Sequence, residues 1–192
     1  MGGQDNASAR ISLLDIEAAV EAASEVGVPK MLAKLSVFRS VLHQKKYSKA
    51  LSDLLLCLLS GENLPHRLRE LIIMRIGWVT GSVYEWAEHW RIAQFLFEVP
   101  PDDILAVRDW EGHSGFDEKD RAVLKAVDDT VRFGAISQQV WEELAGLFNE
   151  VTLVELVGAI GTWYMVSFIL RTLDVPLDEG DTPWPPDGAG PQ

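Results

Sequence analysis

The side chains best suited to chemistry fall within residues 64–97, which read LPHRLRELIIMRIGWVTGSVYEWAEHWRIAQFLF. Glu85 and His89 are four residues apart, so on a helix they share a face. A neighbouring carboxylate can hold the pKa of a histidine near neutrality, where the ring both gives and takes a proton. The alternative is a surface Glu–His pair, worth roughly a few tenths of a kcal/mol. Both interpretations remain open at this stage.

Two more charged residues lie in the first half of the same stretch. Glu70 can be solvated on the first helical turn, paired with Arg67, or turned inward to handle protons. Arg75 interrupts the apolar run from Leu71 to Val79, and an unpaired guanidinium in a core costs several kcal/mol. Arg75 therefore pairs with a protein carboxylate or presents its fork to a substrate carboxylate.

Local signals divide this stretch into two helices. Pro65 suits a first helical turn, and Thr80-Gly81 marks the junction. Ser82 and Glu85 have the S-x-x-E form of a capping box, in which both side chains satisfy free N–H groups. A metal site is not expected, because no second E-x-x-H or H-x-x-x-H completes a ligand set.

Helical spacing of apolar residues dominates the rest of the chain, and no stretch alternates as a strand does. The pattern predicts an all-α bundle of about seven or eight helices around the central hairpin. Outside the hairpin, helices are expected in the following ranges: Asp15–Val26, 30–59 with a break near 43–47, Asp103–Asp109, Glu118–Phe133, Gln138–Phe148, and from a second capping box at Thr152 to about Leu173. Trp110–Gly115 is expected to be a loop.

Length predicts one domain, residues 1–178, with 1–11 disordered and a flexible Pro/Gly-rich tail at 179–192. The single cysteine, Cys57, excludes an internal disulfide and is expected to be buried and inert in its leucine-rich run. The last helix is uncharged from Leu156 to Leu170, too short for a span of roughly 20 residues, so we expect it in a core or a subunit interface.

A formal net charge of −12 argues against nucleic-acid or anionic-membrane partners. The N terminus lacks the order of a secretory signal, so a cytoplasmic location is expected.

The hairpin resembles the carboxymuconolactone decarboxylase and alkylhydroperoxidase-like family of small helical proteins. The peroxidase branch has a glutamate, eleven intervening residues, a C-x-x-C, three more residues and a histidine. The matching positions here are Glu70, Ser82, Glu85 and His89, in the same spacing. Ser82 and Glu85 stand where the cysteines would be, so a dithiol peroxidase reaction is disfavoured.

The resemblance implies a cofactor-independent lyase or isomerase that acts on a small carboxylated or lactone substrate within a homo-oligomer. Glu70, Glu85 and His89 would be catalytic, and Arg75, Ser82 and Trp86 are candidate substrate contacts. Two alternatives remain: a non-catalytic oligomer that binds a small organic ligand, and a structural hairpin in which Ser82 and Glu85 only cap a helix.

Overall fold

The computed structural model describes residues 9–191, and within them it contains nine α-helices, two short 3-10 helices and no strand. The expected disorder at the N terminus falls largely on residues 1–8, which lie outside the described residues. The helices are α1 Ile16–Val26, α2 Ser36–Val41, α3 Lys45–Leu59, α4 His66–Thr80, α5 Val83–Phe95, α6 Pro101–Ala106, α7 Glu118–Phe133, α8 Gln138–Leu147 and α9 Glu150–Leu173. The predicted all-α fold class is confirmed.

Several helix ends follow from local capping chemistry. Asp15 and Ser137 each accept a backbone N–H of the first turn that follows, at 2.8 and 3.4 Å. Asp117 forms a full capping box at the start of α7. Gly27 and Gly134 end α1 and α7 in the left-handed conformation that glycine adopts without steric cost.

Two expectations about helix limits were wrong. α9 begins before the predicted capping box at Thr152, because the Asn149 side chain accepts the Thr152 N–H at 2.9 Å and fulfils the capping role. The predicted loop Trp110–Gly115 instead begins inside a 3-10 helix, Val107–Gly112.

The chain divides into two compact units, where one domain was expected. The first contains residues 9–60 and 169–181, and the second contains 61–168 and 182–191. In the first unit α1 packs against α2 and α3. There the Asp178 carboxylate accepts the backbone N–H and the hydroxyl of Ser36, at 2.7 and 2.8 Å.

The second unit is built around α4. This helix packs against α5 and α7, and α7 in turn packs against α8. Residues Leu71 to Met74 of α4 are entirely buried, which explains why its sequence is apolar on every side rather than on one stripe. A polar side chain within residues 68–74 of α4 therefore enters a core.

Cys57 is exposed, which corrects the expectation of a buried thiol. Leu51 and Leu58 provide the buried face of α3, while Leu54 and Leu56 point outward with Cys57. The leucine-rich run is thus wider than the stripe that α3 buries.

α9 is long and apolar enough to cross a membrane by length and composition, with a mean hydropathy of 1.8 in its most apolar window. Half of that window is buried inside the protein. The other side carries an exposed apolar stripe formed by Val151, Val154, Val157, Tyr164 and Phe168. The prediction that α9 closes a core or an interface, rather than spanning a membrane, stays a prediction.

Part of the tail that is predicted to be flexible, residues 179–192, lies against helices of the second compact unit. Residues 182–191 belong to the second compact unit. Trp184 contacts Trp78 of α4, and the Pro185 carbonyl accepts a hydrogen bond from Trp86 of α5.

Candidate functional site

The junction of α4 and α5 brings the two helices close together. Gly81 adopts a φ of 69°, which glycine tolerates best, and the Ser82 N–H donates to the Gly77 carbonyl at 2.8 Å. A Cβ at Gly77 would lie 3.3 Å from the Trp86 nitrogen and 3.5 Å from the Glu85 Cβ. The absence of a side chain at Gly77 therefore lets the first turn of α5 rest against α4.

Glu70 lies fully buried between two cationic or titratable partners. Its Oε2 is 2.8 Å from His89 Nδ1, and its Oε1 accepts from Arg69 Nε and Nη2 at 3.3 Å each. The solvated interpretation of Glu70 and its pairing with Arg67 were both wrong. Arg67 instead contacts Asp103 and Asp120, at 2.7 and 2.5 Å.

His89 is the middle member of the group. Nδ1 faces Glu70, which leaves Nε2 directed toward Glu85 Oε2 at 3.9 Å, and the Trp163 ring meets the imidazole edge-on at 6.1 Å. Burial by itself would lower the pKa of His89, but the negative charge and hydrogen bond of Glu70 outweigh it, so the pKa is raised. The neighbouring carboxylates therefore favour the protonated form of His89.

Glu85 is the second titratable group that faces His89. Burial raises its pKa to about 7, against the opposing attraction of His89. Its Oε2 has no hydrogen-bond partner among the described residues, and 3.9 Å to His89 is too long for a hydrogen bond. The carboxyl group is thus poised between its acid and base forms, with one oxygen uncommitted.

Ser82 does not form the predicted capping box. It occupies the N-cap position of α5, but its side chain accepts no first-turn N–H. The hydroxyl is buried and has no partner among the described residues, like Glu85 Oε2. The interpretation of these two side chains as helix caps is wrong, and each keeps a buried oxygen without a partner among the described residues.

Arg75 forms protein contacts. Its Nε and Nη2 donate to the two oxygens of Asp128 at 2.7 and 2.9 Å, and Nη1 donates to the carbonyls of Val107 and Arg108. The structure therefore matches the pairing alternative. Arg75 ties α4 to α7 and to the 3-10 helix.

Residues 45–129 match the model of the "CMD: Carboxymuconolactone decarboxylase family". That range includes Glu70, Ser82, Glu85 and His89. Residues 45–129 of this chain are therefore similar to that family. Among curated proteins, none matches the sequence.

Solved structures share this family's fold at low sequence identity. An alkylhydroperoxidase AhpD core protein from Ralstonia eutropha is 14% identical, with a TM-score of 0.72, over 91% of this chain and 95% of the other. The debrominase Bmp8, with 2,3,4-tribromopyrrole bound, is 15% identical, with a TM-score of 0.69, over 93% and 95%. A protein of unknown function from Agrobacterium tumefaciens is 21% identical, with a TM-score of 0.66, over 72% and 94%. At these identities the likeness concerns the fold.

Within the matched residues 45–129, sequence reasoning missed Arg69. This guanidinium is 1% exposed, contacts Glu70, and lies 4.5 Å over the Phe97 ring. Adjacent residues on a helix do not normally face each other, so no spacing rule connects Arg69 with Glu70.

Trp86 was expected to contact a substrate, but it packs inside the protein. Its indole N–H donates to the Pro185 carbonyl at 2.8 Å, and its ring lies between those of Trp78 and Trp184. The Pro-rich composition of the tail gave no signal for this contact.

Proposed function

We propose that this protein is a cofactor-independent lyase or isomerase that transfers a proton between Glu85, His89 and a small carboxylated or lactone substrate. The observation that carries the proposal is the Glu85 carboxyl group. It is buried, its pKa is about 7, and its free oxygen lies 3.9 Å from His89 Nε2. General acids and bases work best when their pKa lies near the working pH.

The three side chains divide the proton handling between them. Glu70 accepts a hydrogen bond from His89 Nδ1 and so orients Nε2 toward Glu85. A substrate oxygen or carbon beside the pair, within reach of both Nε2 and Glu85 Oε2, could receive a proton from either group. Glu70 is thus the positioning residue, while Glu85 and His89 are the candidate catalytic residues.

A decarboxylation is balanced with these groups alone. The bond between the substrate carbon and its carboxylate breaks, carbon dioxide leaves, and the electron pair moves onto the conjugated lactone carbonyl. The imidazolium of His89 or the acid form of Glu85 then supplies the proton that forms the new C–H bond, and solvent returns the proton. An isomerisation would use the same pair, with Glu85 as base and His89 as acid.

Ser82 is the remaining candidate for substrate contact. Its buried hydroxyl can donate to a substrate oxygen, because no described residue occupies it. Arg75 and Trp86 have protein partners in place of the substrate roles expected for them. The debrominase neighbour holds a small ring compound in this fold, which supports a ligand of similar size here.

The proposal is tested by incubating the protein with a panel of small lactones and carboxylated lactones in deuterium oxide. Proton NMR would detect both loss of carbon dioxide and deuterium entering a carbon next to the carbonyl. Turnover is expected for wild type and is expected to be lost in Glu85→Gln and in His89→Gln. Glu143→Gln is the control, because Glu143 on α8 pairs with Lys125 on α7 and is not one of the site residues. Turnover that survives both site substitutions would contradict the assignment.

The second candidate function is a non-catalytic homo-oligomer that binds a small organic ligand. The exposed apolar stripe of α9 favours the oligomeric part, since monomers seldom leave such a stripe uncovered. This candidate predicts saturable binding in the same panel, weakened by Ser82→Ala, with no deuterium exchange in any compound.

A further inference from the structure

Arg108 lies between two tryptophans beside the first turn of α5. Its guanidinium carbon is 4.8 Å from the ring centroid of Trp78 and 4.8 Å from that of Trp86, within the range of a cation–π contact. The Trp78 and Trp86 rings are themselves 5.2 Å apart. We call these three side chains the Trp–Arg surface.

Residues 182–191, which we call the strap, cover this surface. The Trp184 ring meets those of Trp78 and Trp86 at 5.8 and 6.1 Å. The Pro185 carbonyl accepts the Trp86 indole N–H at 2.8 Å. A buried indole N–H needs a hydrogen-bond acceptor, and the Pro185 carbonyl of the strap supplies it.

An ion pair secures the far part of the strap. Both Asp187 oxygens accept from Arg108, at 2.8 and 3.1 Å. The hydrogen bond from Arg108 holds the pKa of Asp187 at about 2. The Asp187 carboxylate is therefore ionised at neutral pH and able to accept from Arg108.

The strap crosses the turn that carries the candidate site. Pro185 lies on Trp86, at one end of this turn, and Pro191 lies 3.9 Å from the position of a Cβ on Gly81, at the other end. Ser82 and Glu85 lie between these two anchor points in the sequence. Both are buried, at 1% and 5% exposure.

We propose that the Trp–Arg surface is a docking site for the chain's own C-terminal strap, and that the docked strap controls access to Ser82 and Glu85. The strap opens and closes as a local unit, because few side chains hold it. The shielding itself does not depend on any reaction. Its meaning as a gate for substrate rests on the proposed function.

The test measures how fast a thiol at position 82 reacts in the full-length protein. Ser82→Cys is made in a Cys57→Ser background, and its reaction with a coloured aromatic disulfide is followed with the strap intact. The same rate is then measured with Trp184→Ala and Asp187→Asn added. The matched control adds Trp141→Ala and Glu143→Gln, which remove one tryptophan and one ion-pair acid from α8.

The strap substitutions are expected to raise the reaction rate by about tenfold or more, since losing the Trp184 ring contacts and the charge that pairs with Arg108 each change an opening equilibrium by roughly two- to tenfold. The control pair should leave the rate unchanged. Equal rates with intact and altered straps would overturn the proposal.

Amide hydrogen exchange on proteins with the natural Ser82 provides a second measurement if the reporter cysteine perturbs folding. Faster exchange at Tyr84, Glu85 and Trp86 in the Trp184→Ala/Asp187→Asn protein supports the strap, and unchanged exchange rejects it. These results are separate from turnover in deuterium oxide. A strap that opens in a protein without turnover would leave the docking site standing and remove only the proposed function.

Discussion

Glu70 and His89 are 19 residues apart in the sequence, and the Glu70 Oε2 lies 2.8 Å from His89 Nδ1 inside a helical hairpin. Both side chains are buried, so neither partner is replaced by water if the other is removed. This contact orients the imidazole and raises its pKa. The behaviour of the site should therefore depend on Glu70, although Glu70 faces away from the free oxygen of Glu85.

Glu70→Gln should lower the pKa of His89, because the amide keeps the shape of the side chain but removes its negative charge. The free energy of unfolding should fall by about 3 kcal/mol, since Arg69 loses a buried partner. Imidazole NMR signals followed against pH would measure the first effect. The signals of His43 and His113 are internal controls in the same spectra, and an unchanged His89 titration would contradict this account.

Stability should fall as the pH rises through neutrality. Glu85 binds its proton with a pKa of about 7 when folded, against the ordinary 4.5, so between these values the folded chain carries the extra proton. The resulting loss is on the order of 3 kcal/mol and is complete above about pH 7. His89, with its raised pKa, acts in the same direction.

Urea unfolding at about pH 5 and about pH 8 would measure this slope in wild type and in Glu85→Gln. The glutamine variant should be less dependent on pH and more stable than wild type at the higher value. Parallel pH profiles for the two proteins would show that Glu85 does not titrate in this range.

Arg75→Met should destabilise the fold without affecting ligand binding directly. It breaks the two-point contact with Asp128, at a cost of about 2 kcal/mol. Asp128→Asn should have a similar effect on the unfolding midpoint. If Arg75→Met instead kept its stability but lost affinity for carboxylated ligands that Asp128→Asn still bound, Arg75 would be a substrate anchor after all.

Phe168→Glu should lower the molecular mass measured by light scattering, because it places a charge within the exposed apolar stripe of α9. Met31→Glu is a suitable control, since Met31 is also exposed but lies outside the stripe. A wild-type protein that is monomeric at all concentrations would refute the expected homo-oligomer.

The helices were predictable wherever a local signal set them. α7 begins after Asp117 and ends before Gly134, as the sequence predicts, because a cap and a glycine stop act within one turn of the chain. Thr152 shows the limit of such signals. Thr152 has the form of a helix cap, but the Asn149 side chain accepts the Thr152 N–H and caps α9 instead. Asn149 lies two residues after Leu147, where α8 ends.

The candidate site was predictable only in part. The spacing of Glu85 and His89 placed them on one face, but nothing local indicated that Glu70 would be buried between Arg69 and His89. A helix that is apolar on every side gives no orientation to its polar residues. The fate of Ser82 likewise depended on tertiary packing, which left its hydroxyl buried rather than directed at the helix end.

Gly77 sets the spacing between α4 and α5 in the hairpin. The backbone of α5 rests where a side chain would otherwise stand, with the Trp86 nitrogen 3.3 Å from the missing Cβ. A methyl group at this position would move α5, with Glu85 and His89, outward by a few tenths of an ångström. Every reacting atom would keep its chemical identity. Gly77 thus sets the distance between Glu70 and its partners on α5 without taking part in the chemistry. Adding one carbon atom at this position would show how closely the proton-handling groups must approach each other.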